Sequence, residues 1–334
     1  MHARPGPSRR DWLRAGLGAG AGLVLTGPAR AMLPPSATLL VPGPEGGAFA
    51  RLAERLAGSL ARGATTALRL SHSVLGGPDG VTAANRFATA GAPDGKTLLL
   101  LPGAAALARL IGDPRARFDP TGWLAVCAVQ GTAVVAGRDA LPPPGSAPRF
   151  ALGGPDMPDA AALLGLDLLG LQASPVLGLP PPRAEAALAQ GRAEAAVLQG
   201  ADVPARLQAI GARPWFTLDP AGIRDPALPE VPALADLTGW GSPELRGAFA
   251  AAAACLRLPA ALVLPALTPA DVVAAWRGAA QRWLEEEARQ GWAPGLRALP
   301  GAEAASLVAA IAPPPAAALA YREWLLRRLN WRAD

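Results

Sequence analysis

The stretch that most constrains this chain runs from Thr38 to Gly47. An apolar run, Thr38-Leu39-Leu40-Val41, breaks on Pro42-Gly43-Pro44-Glu45-Gly46-Gly47 and opens onto a helical pattern. Phe49, Leu52, Leu56 and Leu60 fall on one stripe at helical period, Arg51, Glu54, Arg55 and Arg62 fall off it, and Gly63 supplies a stop. A strand, a glycine turn and a helix start present free backbone N–H groups, and the helix dipole favours negative charge there. Gly46 and Gly47 carry no side chain to keep a ligand away. Taken alone the pattern better describes an ordinary strand-to-helix connection, so the rest of the chain decides.

Residues 1–31 read as a twin-arginine leader. Ser8-Arg9-Arg10-Asp11-Trp12-Leu13-Arg14 pairs two arginines with a bulky apolar pair. A weakly apolar run at 15–27 is too short for a stable bilayer-spanning helix, and Ala29-Arg30-Ala31 ends it as a cleavage pattern. Export to the periplasm with cleavage after Ala31 is the expectation. Gly16-Leu17-Gly18-Ala19-Gly20-Ala21 fits a dinucleotide fingerprint only formally, because it follows basic residues rather than a strand. The leader carries five Arg and one Asp, a net of +4, so only +1 of the whole chain's +5 is left after it. No basic patch points to nucleic acid.

Hydrophobic residues make up 51% of the chain, ample for a large core, and the 334-residue length suggests two domains. His72 is the one histidine beyond the leader, which excludes histidine-rich metal sites, and no metal or cofactor is expected. It sits in Leu70-Ser71-His72-Ser73-Val74, a strand pattern in which a packed or edge histidine is the plain reading. Cys127 and Cys255 lie in apolar segments, either as one disulfide or as two buried free thiols.

From the first strand onward strand and helix alternate, which argues for an α/β layer with a mainly parallel sheet. Strands are expected at 68–73, 97–101, 124–136, 149–152, 195–198 and 215–218, and helices at 80–90, 104–111, 159–171, 183–190 and 203–210. The proline cluster at 141–145 marks a crossing between domains, and 250–258 reads as a strand returning to the first. Helices at 271–290, 303–311 and 317–330 close the chain. Ala90-Gly91-Ala92-Pro93-Asp94-Gly95-Lys96-Thr97 mimics a phosphate loop, but its helix–loop–strand order is reversed, so it reads as a turn.

In order along the chain, four segments resemble the exported solute receptors of tripartite tricarboxylate transporters, the Bug receptors. They are Val41-Pro42-Gly43-Pro44-Glu45-Gly46-Gly47-Ala48, Ala92-Pro93-Asp94-Gly95-Lys96-Thr97-Leu98-Leu99, Phe118-Asp119-Pro120, and Leu228-Pro229-Glu230-Val231-Pro232-Ala233-Leu234-Ala235-Asp236. The last is the most specific, and Lys96 stands where the family has an aromatic residue. The resemblance implies a two-lobed periplasmic-binding-protein fold of the Venus-flytrap kind, each lobe a mainly parallel sheet flanked by helices. Lobe one would comprise 32–137 and 250–334, and lobe two 138–249. It also implies a small carboxylate ligand, membrane transporter subunits as partners, and a monomer. The ligand would be held largely by backbone amides of two loops, one with Gly43, Glu45, Gly46, Gly47 and Ala48 and one with Gly77, Pro78, Asp79 and Gly80. Gly153, Gly154, Pro155 and Asp156 would close from the facing lobe.

Departures from the family pattern concern ligand identity. Ala50 replaces an acidic residue of the first helical turn, and Gly178-Leu179-Pro180-Pro181-Pro182 replaces a more polar segment. Asp79 reads as a cap for the helix after Gly80, or with Asp156 as a sign of a cationic group on the ligand. No Lys or Arg lies in the three loops, so anchoring charge is expected from dipoles and amides. The leading function is therefore a carboxylate receptor rather than an enzyme. A periplasmic sensor or interaction module on the same fold is the alternative. A hydrolase using Ser71 or Ser73 with His72 stands last, since no Gly-x-Ser-x-Gly elbow occurs.

Overall fold

A computed structural model describes residues 32–237, 241–291 and 294–333; the leader and its cleavage motif lie outside the described residues. Ten strands form one continuous sheet in the order β2-β1-β3-β9-β4-β7-β5-β6, with β10 and β8 also pairing with β4. The strands are β1 (Ser36–Pro42), β2 (Arg69–Leu75), β3 (Thr97–Leu101), β4 (Leu124–Gly137), β5 (Arg149–Ala151), β6 (Ser174–Val176), β7 (Ala195–Gly200), β8 (Arg213–Thr217), β9 (Ala260–Leu264) and β10 (Leu296–Leu299).

β4 holds the sheet together. Past Leu124 its residues are all buried, the signature of a strand covered on both faces. Its first part pairs antiparallel with β9, Ala125 opposite Val263 and Val129 opposite Ala260. Its second part pairs antiparallel with β7, Thr132 opposite Gly200 and Gly137 opposite Ala195. Parallel pairing occurs toward the outer ends, β1 with β2 and β3, and β5 with β6 and β7. The expected parallel sheet is thus present where strand–helix–strand crossovers build it. It turns antiparallel where β4 and the returning β9 run through the middle.

Helices α1 (Ala48–Gly63), α2 (Val81–Ala90) and α3 (Gly103–Ile111) each follow a strand of the first half. Helices α4 (Ala160–Leu168), α5 (Arg183–Ala189) and α6 (Val203–Ala209) serve the second half. A short α7 (Leu234–Leu237) and the long α8 (Pro243–Leu256) lead to β9, and α9 (Ala270–Gln290), α10 (Gly301–Ala310) and α11 (Pro315–Leu329) complete the chain.

The expected strand at 250–258 is a helix. Ser242 Oγ accepts the Leu245 N–H at 3.2 Å and Pro243 stands at the first helical position, a start signal that precedes an alanine-rich run. The returning strand is β9, just beyond Pro259, so the chain crosses residue 250 as helix. β6 and β10, of three and four residues, were too short to leave a periodic signal.

One apolar core lies between the sheet and α1 and α9, around Leu56, Leu60, Trp276 and Trp283. A second packs α2, α3, α8, α10 and α11 on the opposite face and continues into α4, Phe150 and Phe216, and a third sets Leu188 of α5 and Leu207 of α6 with Leu198 of β7. Cys127 belongs to the first core and Cys255 to the second. Both are buried free thiols, so the disulfide alternative is excluded: the sheet stands between them. Burial pushes both thiols up, Cys255 to about 12.

Candidate functional site

β1, β2 and β3 are parallel, so their C-terminal ends meet at one edge of the sheet. Each end runs into a helix start: Gly47 before α1, Gly80 before α2 and Pro102 before α3. Ligands of open α/β sheets bind at such edges.

The first turn closes through Gly47 N–H to Pro44 O at 3.0 Å, and Gly46 takes φ +68°, a conformation suited to glycine. Gly47 caps α1 with no side-chain hydrogen bond, and no acidic residue stands in the first helical turn. The first N–H groups of α1 are thereby left to solvent or ligand. A Cβ on Gly47 would come within 2.8 Å of Pro44 O, so this glycine is required by the turn itself. Glu45 and Ala48 are exposed, and Gly43 is buried.

The second turn is pressed against the first. A Cβ on Gly43 would sit 2.1 Å from Gly76 O, and one on Gly80 2.4 Å from Pro102 Cγ. Gly80 has φ +75°, and its N–H reaches Gly77 O at 3.2 Å across Pro78 and Asp79. Asp79 has the role of a cap: its Oδ1 accepts the Val81 N–H at 3.3 Å, and its Oδ2 pairs with Arg115 Nη1 at 3.0 Å. Gly43 to Ala48 and Gly77 to Gly80 are therefore one constellation.

Gly153, Gly154, Pro155 and Asp156 follow β5, in the other half of the sheet. The close neighbours of Gly153 and Gly154 are Pro180, Met157, Asp156 and Asp159. Gly178 N–H donates to Gly153 O at 3.3 Å, which sets the proline-rich 178–182 segment beside this loop.

Two residues escaped the sequence reading. Arg51, on the outer face of α1, folds back so that its Nη1 donates to Gly46 O at 2.6 Å. A guanidinium therefore stands against the first turn, although no loop residue is basic; its spacing of four residues from Gly47 is the signal that was available. Asp159, buried below the third loop, accepts the Gly153 N–H on Oδ2 at 2.7 Å, while Oδ1 has no hydrogen-bond partner. Burial outweighs that hydrogen bond and raises its pKa to about 6.

The serine–histidine run forms no nucleophile–base pair. β2 is an edge strand, His72 is exposed on it, and Ser71 Oγ bonds Ala37 O at 3.3 Å. Neighbouring residues of a strand point to opposite faces, so His72 faces away from both serines. The phosphate-loop mimic is a turn as expected, with Lys96 N–H donating to Asp94 Oδ1 at 2.9 Å and β3 following.

No protein-family model and no curated protein matches the chain. Solved structures do. A TctC solute-binding protein from Polaromonas, solved without ligand, superposes with a TM-score of 0.63 at 17% identity, covering 88% of this chain and 98% of that one. MatC from Rhodopseudomonas palustris, solved with malate, matches with a TM-score of 0.50 at 20% identity over 87% and 98%. A periplasmic transporter matches with a TM-score of 0.50 at 18% identity over 90% and 98%. These superpositions extend over nearly the whole length of the neighbours, and the chain has the fold of the TctC solute-binding proteins.

Proposed function

We propose that the protein is an exported periplasmic receptor of the Bug type that captures a small carboxylate and delivers it to a tripartite tricarboxylate-type membrane transporter. The observation that carries this reading is the pair of glycine turns abutting at one sheet edge, each opening a helix. α1 begins without a side-chain cap, and Arg51 stands against its turn. Unpaired amides, a helix dipole and a guanidinium together suit a carboxylate. The malate bound in MatC is consistent with that class of ligand. In this reading the halves meeting along β4 act as lobes (32–137 with 250–334, and 138–249), Gly153 to Asp156 closes on the ligand, and the receptor works as a monomer after loss of residues 1–31.

The test is a thermal-shift and calorimetric titration of the mature protein with a dicarboxylate panel led by malate. A ligand at one hundred times its Kd stabilises the native state by about 2.7 kcal/mol. Ala48→Glu is the informative variant, since residue 48 is exposed at the first position of α1. A carboxylate there suits the helix dipole, so the fold should hold or gain slightly while a bound anion is repelled. Loss of the ligand-induced shift in a folded Ala48→Glu protein is expected. Unchanged affinity in that variant would remove the ligand from this turn.

A further inference from the structure

Beside β4, on the side of the sheet away from α1, lies a cavity of about 520 Å³. Its size falls within the range of small-molecule sites, roughly 300–1,000 Å³. None of the glycine-turn residues lines it. Its walls come from both halves of the sheet: Leu218 beyond β8, Phe249 on α8, Leu299 on β10 and Leu307 on α10.

The polar part of the lining holds Arg246, Arg257 and Arg297 beside Gln130, Asp219, Glu303 and Ser306. Arg257 and Asp219, 4% and 2% exposed, pair with each other, and each keeps one buried atom, Nε and Oδ2, without a hydrogen-bond partner. Arg297 Nη2 donates to Gln130 Oε1 at 3.0 Å, and its Nη1 lies 3.8 Å from the half-exposed Glu303 carboxylate. Arg246 also lines the cavity and donates to Gly241 O at 2.6 Å. Arg257 and Arg297 are close enough to interact, with Asp219 committed to Arg257 and Glu303 open to solvent. Asp225 adjoins from a neighbouring recess shared with Gln130 and Arg297.

An apolar chamber whose polar lining sets Arg257 and Arg297 near each other, with a buried Arg257 Nε left unpartnered, matches a molecule with an apolar tail and an anionic head. We propose that this cavity is a second binding site, for an aliphatic monocarboxylate whose head meets Arg297 and Arg257 and whose tail lies against Phe249, Leu299 and Leu307. Guanidinium groups match a carboxylate in planar, paired hydrogen bonds, and the leucine walls favour an alkyl chain over a second charged group. The site is independent of the carboxylate reading of the glycine turns.

Octanoate is the probe, titrated calorimetrically into the full mature chain, with acetate and octan-1-ol as controls lacking tail and charge. Octanoate should bind, and both controls should bind at least about tenfold more weakly. Arg297→Gln should weaken octanoate by about tenfold or more. Ala250→Trp, from an exposed position on the cavity wall, should fill the chamber and abolish octanoate binding while the malate response stays as in wild type. Ala48→Glu should leave octanoate unaffected. Absence of octanoate binding, equal affinity in Ala250→Trp, or equal affinity for octan-1-ol each overturns the proposal. So does loss of octanoate binding in Ala48→Glu alone, because the anion would then sit at the turns. A protein that ignores malate yet binds octanoate in this pattern refutes only the reading of the turns.

Discussion

Asp159 lies buried beneath the third glycine loop, with one carboxylate oxygen on the Gly153 N–H and the other unpartnered. Its pKa is about 6 in the folded chain against 3.8 for an unperturbed aspartate. Between those values the native state holds a proton that the unfolded state has released. Its contribution to stability is therefore fullest below about pH 4, declines as pH rises to about 6, and stays low above it. Asp159→Asn keeps an acceptor for Gly153 and removes the titration. At pH 7 the variant should be more stable than wild type by on the order of 2 kcal/mol, and near pH 4 the two should nearly coincide. Urea melts at the two pH values check this, and a variant no more stable than wild type at pH 7 while equal to it at pH 4 would show that the buried carboxylate carries no such penalty. Asp159 stands only three residues beyond Asp156, yet nothing in the local sequence marks it. Its shift comes from burial, which the rest of the chain imposes.

At the scale of elements, glycines that look alike in sequence have opposite consequences. Gly103 begins α3, and a Cβ there would lie 1.9 Å from Cys255 O, where α3 meets the end of α8. Both partners are backbone held in packed helices, so Gly103→Ala should destabilise by about 3 kcal/mol or more. Gly278 sits exposed within α9, and nothing lies within 4 Å of where its Cβ would be. Gly278→Ala should stabilise by about 0.5–1 kcal/mol, through helix propensity alone. Thermal or urea unfolding of the two single variants checks both signs. The α8 segment teaches the same lesson about context. Its alanine-rich, uniformly apolar run has the composition of a buried strand or a buried helix, and the Ser242–Pro243 start decides for helix.

For the molecule as a whole, the core on the α8 face runs without interruption from Leu99 and Phe87 to Leu163, Phe150 and Phe216. Polar ties follow the same path: Asp167 of α4 accepts from Trp324 Nε1 at 2.8 Å and from Arg328 Nε at 3.0 Å, both on α11. A core shared in this way should make residues 32–334 unfold as one cooperative unit despite a length suited to two domains. Tryptophan fluorescence and far-ultraviolet circular dichroism should give one coincident denaturation midpoint. Two separated transitions would mean that the halves along β4 are energetically independent.

Sequence alone determined the alternation of strand and helix, the two glycine turns that open α1 and α2, and the place of β4 as a long apolar strand. These depend on periodicity, on turn chemistry and on the absence of side chains, all local properties. The resemblance carried by four short motifs anticipated the fold that the solved structures share, although identity to them is only 17–20%. Tertiary structure alone decided what met what. It pressed Gly43 against Gly76, turned Arg51 back onto Gly46, put Asp159 under Gly153, and set Cys127 and Cys255 on opposite faces of the sheet. It also enclosed Asp219 and Arg257 in a cavity whose lining is gathered from positions 130 to 310. Such contacts join residues far apart in the chain, and a reading of local period and turn chemistry carries no record of them.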